Sequence, residues 1–288
     1  MTEINKYEDA FKKFAPLPET KTVKKIVGKL LDEKASQNFK TDVLKKLYGC
    51  VDLTSLTTTD TKESIWKMVT EVNDNEGTRP DVPNVAAICV YPLFANVAKE
   101  ALTAQNVNIA CVSGGFPHAQ TFIEVKIAET SMALMQGADE IDIVMNLGFF
   151  FEENYDELTE EIDELKASCG DHTLKVILET GALETSENIA KASILALFSG
   201  ADFLKTSTGK GYLGASPEAA YVMCLCIKKY FEITGKKIGI KLAGGIRKAE
   251  DAVKYYTIVK EVLGEEWLNS KLFRIGASSL VKDLEAKF

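Results

Sequence analysis

The chain has 288 residues, 46% of them hydrophobic and 26% charged, with a formal net charge of −8 and a pI near 5.1. That is ordinary globular composition, and the length is enough to bury a large core within one barrel-sized domain. An acidic surface argues against general binding to nucleic acid or to an anionic membrane, so any anion site must be local, built from a few lysines and backbone amides.

No apolar run is long enough to span a bilayer. The opening MTEINKYEDAFKKF is charged and lacks the apolar centre of a signal peptide. A cytoplasmic protein is the expectation. Four cysteines, Cys50, Cys89, Cys111 and Cys169, are scattered, and Cys224 with Cys226 forms a C-x-C pair. On a helix that pair points to different sides and makes a poor metal clip. Reduced thiols are the simple account. His118 and His172 are the only histidines. They are too few and too far apart for a zinc cluster, and no GxSxG elbow is present. Carbonyl or carbon–carbon chemistry here is expected to need neither metal nor cofactor.

Residues 1 to about 47 have helical spacing, in KYEDAFKKF and VKKIVGKLLDEK, with Pro16 and Pro18 breaking between them. They read as a helical extension packed on a main domain of residues 48–288. From residue 48 short apolar runs alternate with longer amphipathic stretches. The runs fall at 47–53, 85–91, 107–113, 139–145, 173–179, 201–206, 237–244 and 272–278. Helical candidates lie near 61–73, 93–105, 118–136, 154–168, 185–199, 216–234, 247–263 and 278–287. Alternating units of this kind require parallel strands with crossover helices. Eight such pairs predict a closed (β/α)8 TIM barrel. An open doubly wound sheet is the alternative, disfavoured because no GxGxxG follows the first strand.

In such a barrel the chemistry sits at the C-terminal ends of the strands. Asp52 is expected there on the first strand, Cys89 on the second, Asp142 on the fourth, Lys175 on the fifth, Lys205 on the sixth and Lys241 on the seventh. Each alone has a plain structural explanation. Asp52 caps a turn, Cys89 fills core space, Lys175 pairs with a surface acid, and Lys205 snorkels to water. Together they are harder to dismiss, because core strands rarely carry ionisable groups four in succession. A lysine in an apolar strand loses hydration, its pKa falls, and the neutral amine becomes a nucleophile. A second ammonium nearby lowers it further, and an aspartate can shuttle protons through water. The competing account is a buried network in which these charges only neutralise one another. Separately, STGKG (207–211), AGGIR (243–247) and GASS (276–279) are glycine-rich turns. With Lys210 they offer backbone amides and close approach to a phosphate.

These residues carry a resemblance. VDLTSL, AAICVYP, VSGGFPHA, GADEIDIV, LKVILETG, GADFLKTSTGKG, GIKLAGGIR and FRIGASSL, in that order, resemble the deoxyribose-phosphate aldolase family of class I aldolases, over roughly residues 48–282. The resemblance implies a TIM barrel that reversibly cleaves 2-deoxy-D-ribose 5-phosphate to D-glyceraldehyde 3-phosphate and acetaldehyde, in deoxyribose phosphate catabolism. It implies that Lys205 forms the Schiff base, while Lys241 and Asp142 move protons. Asp52, Cys89, Lys175 and Thr206 then fall near the substrate, and Gly209, Lys210, Gly244, Gly245, Gly276, Ser278 and Ser279 at its phosphate. Leu242 stands where the family commonly has proline, and Gly115-Phe116-Pro117 where it often has NFP. The chain ends at Phe288, without the C-terminal tyrosine that some members use in proton transfer. A transaldolase, a phosphosugar isomerase and a non-catalytic sugar-phosphate binder are the rival readings. The helical extension and the aromatics at Phe149–Phe151 offer a surface for a homodimer. No nucleic acid or membrane partner is expected.

Overall fold

The computed structural model describes residues 6–288. Three helices come first: α1 (Lys6–Lys13), α2 (Thr20–Lys34) and α3 (Thr41–Tyr48). Then strands and helices alternate: β1 (Val51–Thr54), α4 (Lys62–Asn75), β2 (Ala87–Val90), α5 (Ala95–Ala101), β3 (Asn108–Ser113), α6 (Ile123–Met135) and β4 (Glu140–Val144). Two helices, α7 (Leu147–Phe151) and α8 (Tyr155–Cys169), follow β4. After β5 (Thr173–Ile177) come α9 (Thr180–Leu183) and α10 (Ser186–Phe198). The chain closes with β6 (Phe203–Lys205), α11 (Pro217–Thr234), β7 (Gly239–Ala243), α12 (Ala249–Leu263), β8 (Phe273–Ala277) and α13 (Leu280–Glu285). All eight strands are parallel, each pairs with the next, and β8 pairs with β1. The expected (β/α)8 barrel is therefore the observed architecture.

Local chemistry explains the element ends. Thr61 and Ser64 form a reciprocal capping box at the start of α4. Ser216 caps α11 and Pro217 follows it, where a missing N–H does no harm. The short helices α7 and α9 were not anticipated, since four or five residues carry too little periodicity to read. Phe150, within the α7 triplet, is buried against Tyr155, while Phe151 is exposed.

Outward-facing strand residues join the helices in one large apolar core, including Val51, Ile88, Ile109, Ile141, Leu174, Leu204, Ile240 and Ile275. The N-terminal helices are seated on the barrel's outer helices. α2 lies against α11 and α12, α3 against α12 and α13, and α1 against α10. Asn38 donates to Thr257 at 3.0 Å, and the Tyr7 hydroxyl donates to Asp156 at 2.7 Å.

Inside the barrel the residues are unlike an ordinary apolar filling. β2 and β3 contribute the small residues Ala87, Cys89, Ala110 and Val112. Gly239 leaves room for the Phe203 ring: a Cβ there would fall 2.3 Å from it. Gly276 leaves room beside Lys241, whose Cε would sit 3.2 Å from a Cβ at that position. The volume so freed is taken by charged side chains. Their height in the barrel differs from the expected one. Lys205 is the last residue of β6, whereas Asp52, Asp142, Lys175 and Lys241 occupy strand interiors, Lys241 in register with Lys205.

Gly239→Ala is expected to destabilise the fold by about 1–3 kcal/mol, because the ring of Phe203 must move within a packed layer. Urea unfolding of the variant beside the wild type measures this; equal midpoints would contradict the tight Gly239–Phe203 contact.

Candidate active site

The barrel interior holds a closed ring of alternating charges. Arg274 donates to Asp52 Oδ1 at 2.7 Å. Asp52 Oδ2 meets Lys241 Nζ at 2.5 Å, and Lys241 meets Asp142 Oδ2 at 2.8 Å. Asp142 Oδ1 accepts from Lys175 at 2.6 Å, and Lys175 reaches Glu140 Oε2 at 2.6 Å. Glu140 Oε1 returns to Arg274 at 2.7 Å. Every member is buried. Lys205 stands outside this ring and touches it at one point, Asp142 Oδ2, at 2.7 Å.

Why the ring forms follows from the pleat. Alternate residues of a strand face the barrel interior. Asp142 and Glu140 are two apart on β4. Register then places Asp142 beside Lys175, Lys205 beside Lys241, and Lys241 beside Arg274. Removing charges from water is costly, and only near-complete pairing offsets it. Here each carboxylate lies between two cations.

The charge states differ within the site. Burial pushes the Lys205 amine below the ordinary lysine range; Asp142 opposes this, and the Lys241 ammonium adds to it. Burial also acts on Lys241 and Lys175, yet their carboxylate partners hold both above that range. Asp142 is buried too, and the lysines around it hold its carboxyl well below the usual carboxylate range. Lys205 has only one carboxylate contact, already shared with Lys241. This is the physical reason it alone is driven toward the neutral amine. Cys89 lies 4.0 Å from Lys241, and burial pushes its thiol up, so it is a neutral wall.

Lys205 opens upward into a cavity of about 290 Å³, in the size range of a site for a small ligand. Its far side is lined by Gly209, Lys210, Gly244, Gly245, Arg247 and Ser278. Gly209, Gly244 and Gly245 all have φ between 75° and 93°, the left-handed region that glycine tolerates. Gly214 packs so closely on Gly244 that a Cβ would lie 2.2 Å from its carbonyl oxygen. The three glycine turns are thus held side by side. Lys210 donates to the Leu56 carbonyl at 2.5 Å, tying the loop after β6 to the loop after β1.

Five of the expected substrate residues do not line the cavity: Asp52 and Lys175 belong to the ring, Cys89 lies beside Lys241, and Thr206 and Ser279 are placed elsewhere. Thr206 is buried, with its hydroxyl donating to the Ala243 carbonyl at 3.1 Å and accepting from the Ala243 amide at 2.9 Å. It fixes β6 to β7 and does not line the cavity. Ser279 lines a separate cleft between the end of β1, α4 and α13. Gly276 and Ser278 do line the cavity. His118 follows β3 near the mouth while His172 precedes β5 at the opposite end, and no group of three or more metal-ligating residues is assembled among the described residues.

Sequence reasoning missed Arg274, Glu140, Arg247 and Glu179. Arg274 and Glu140 carried the same signal as Lys205, an ionisable residue inside an apolar run. Glu140 sits two positions from Asp142, hence on the same face. Glu179 adopts a left-handed φ of 52°. Its buried carboxylate accepts from the Thr208 amide at 3.3 Å and from the Thr208 hydroxyl, steadying the STGKG loop.

The comparisons with known proteins agree with this geometry. A family model described as DeoC/LacD family aldolase matches residues 46–282. The chain belongs to that family. A human deoxyribose-phosphate aldolase is 40% identical over 254 residues, covering 84% of this chain and 79% of the human protein. A Bos taurus deoxyribose-phosphate aldolase is 39% identical with the same coverage. A crystal structure from Coccidioides immitis is 26% identical and covers 99% of both chains, with a TM-score of 0.74. An Aeropyrum pernix deoxyribose phosphate aldolase, described as a tetramer, is 25% identical, covers 93% of this chain and 98% of its own, and has a TM-score of 0.64.

For this aldolase the ring has a stability consequence. Asp142's depressed carboxyl contributes stability that is fully present above its unfolded value of about 3.9 and is lost as pH falls through the folded one. At pH 7, Asp142→Asn leaves buried ammonium groups short of a partner and is expected to lower stability by about 3–5 kcal/mol. Chemical denaturation at pH 7 reads this directly; a variant as stable as the wild type would refute the ion-paired ring.

Proposed function

We propose that this chain is a class I aldolase that reversibly cleaves 2-deoxy-D-ribose 5-phosphate into D-glyceraldehyde 3-phosphate and acetaldehyde, with Lys205 as the Schiff-base residue. The observation that carries the assignment is a buried amine with a lowered pKa at the floor of a cavity whose far wall is three glycine turns and two cations. The named relatives support the substrate.

In the cleavage direction the neutral Lys205 Nζ attacks the C1 aldehyde. The carbinolamine loses water to give an iminium, an electron sink conjugated to C2. The C3 hydroxyl gives up its proton as the C2–C3 bond breaks, and the bonding pair flows into the iminium to leave an enamine. Glyceraldehyde 3-phosphate departs. The enamine carbon takes a proton, and water hydrolyses the resulting iminium to acetaldehyde and free Lys205. Asp142 is the proposed proton acceptor through a bridging water, since it contacts Lys205, Lys241 and Lys175 at once. Lys241 is the proposed proton donor and the cation that disfavours a charged Lys205. The phosphate is assigned to the amides of Gly209, Gly244 and Gly245 with Lys210 and Ser278. That grip holds the sugar so that C1 meets Lys205, and orientation of this kind is worth several kcal/mol.

Residues 6–47 we read as a helical extension seated on the barrel, which spans residues 48–288; residues 1–5 of the expected extension lie outside the described residues. Six unpaired, buried cysteines support a cytoplasmic setting. No helix among the described residues is long and apolar enough to cross a membrane. A homodimer is the assembly we propose, supported by an exposed apolar stripe on α6 formed by Val125, Met132 and Met135.

Two experiments test the site. Incubation with acetaldehyde, reduction with borohydride and peptide mass spectrometry are expected to find an ethyl adduct on Lys205, absent in Lys205→Ala, which stays folded but inactive. An adduct on Lys241 would exchange the two roles, and no adduct on folded protein would remove the Schiff-base reading. Separately, Lys210→Met is expected to raise KM for the phosphorylated substrate about 10- to 100-fold, the worth of a charge-assisted hydrogen bond. Unphosphorylated deoxyribose is expected to show no such change; an equal effect on both sugars would place the phosphate elsewhere.

A further inference from the structure

Arg274 lies on β8, two strands from Lys205 in the same register row, with Lys241 between them. Its guanidinium is tied to Lys205 by the arithmetic of the ring. Three carboxylates, Asp52, Glu140 and Asp142, face three cations, Arg274, Lys241 and Lys175. Each carboxylate already lies between two cations, so the ring is neutral when every member is ionised. A protonated Lys205 would be a fourth cation against three ring carboxylates, and an unbalanced charge on a side chain this deeply buried is disfavoured. We infer that Arg274 sets the charge state of Lys205: by filling the third cation place among the three buried carboxylates, it leaves no room for an ammonium on β6.

The surroundings support the count. Arg274 is held by more than its carboxylates: its Nε donates to the Ser270 carbonyl, and it lies 5.8 Å from the centroid of the Phe203 ring. Gly239, opposite Phe203, is the position that admits that ring. The guanidinium is therefore fixed in place, and a residue always charged at accessible pH is a constant background against which lysines titrate. The groups that face Lys205 from each packed element are Asp142 on β4, Lys175 on β5, Lys241 on β7 and Cys89 on β2, with Glu179 and Lys210 above. Glu179 is engaged by Thr208, Lys210 by the Leu56 carbonyl, and the Cys89 thiol is kept neutral by burial. Glu179 acts on Lys205 through space from the loop above, but among the described residues the carboxylate ion-paired with Lys205 is Asp142, which the ring already uses. Removal of Arg274 changes the count: the three carboxylates would then face Lys241, Lys175 and Lys205, and neutrality would call for Lys205 to be protonated. Arg274 is thus a positioning residue, acting through Asp52, Lys241 and Asp142.

The inference rests on Lys205 being the reactive amine, and the experiment separates the two. The full-length protein is incubated with acetaldehyde and cyanoborohydride across pH 5–9, and the initial rate of adduct formation at Lys205 is read by peptide mass spectrometry. Arg274→Met is expected to move the midpoint of this profile upward by about one pH unit or more, a tenfold loss of reactive amine at a pH below both midpoints. Arg274→Lys, which keeps the charge, is expected to stay near the wild type. Glu140→Gln removes a carboxylate and is expected to lower the midpoint. The Arg274→Met/Glu140→Gln pair restores the balance and is expected to return it toward the wild-type value, a coupling that lost packing would not produce. An unchanged midpoint in folded Arg274→Met overturns the inference. If that variant does not fold, a Glu140→Gln midpoint at or above the wild type overturns it alone. Absence of a Lys205 adduct in the wild type at every pH overturns the underlying aldolase reading instead.

Discussion

Seven ionisable side chains inside one barrel must find partners or lose their charges, and the rest of the structure is arranged around that requirement. Burial of a lone ammonium or carboxylate is prohibitively expensive, and even a pair only roughly breaks even against apolar packing. A closed ring of three acids and three bases comes near to full compensation, because each charge has an opposite charge on both sides. The seventh group, Lys205, is left with a share of one carboxylate. Burial therefore lowers its pKa, with the Lys241 ammonium adding to the effect and the shared Asp142 opposing it.

That requirement reaches outward into the fold. A ring of long charged side chains occupies volume that branched apolar residues normally fill in a barrel of this type. The space comes from alanine, cysteine and glycine at the facing positions of β2, β3, β7 and β8. Stability is supplied on the other face of the sheet, where the strands present valine, isoleucine and leucine to the helices in one continuous core. The sheet therefore separates two tasks. Its outer face holds the molecule together, while its inner face holds charges at fixed distances.

The mouth adds a third task. The glycine-rich segments after β6 and β7 stand close enough that a side chain at Gly214 or Gly244 would collide. Their amides and Lys210 form a polar wall opposite Lys205. In the proposed reaction the reactive nitrogen and the anion-binding wall are thus on separate elements joined by the same strands. Glu179, strained at a positive φ, keeps the first of these loops seated through Thr208.

The sequence by itself determined the eight alternating units, the barrel, and the lysines and aspartate that converge, since each of these is a local pattern. Apolar runs of six to eight residues and amphipathic stretches between them depend only on neighbours along the chain, and strand limits fell within a few residues of expectation. Lys205, Asp142, Lys175 and Lys241 stood out because an ionisable residue inside an apolar run is locally anomalous. Arg274 and Glu140 were equally anomalous but gained meaning only when closure of β8 on β1, and the register across β7 and β8, brought them between the others. Thr206 and Ser279 show the reverse: their type and motif suited a ligand, yet the pleat turned one into a strand tie and the final turn aimed the other at an outer cleft. Which charges pair, and so which amine is held below the ordinary lysine range, was decided by tertiary structure alone, because Coulomb interactions depend on distance through space and not on separation along the chain.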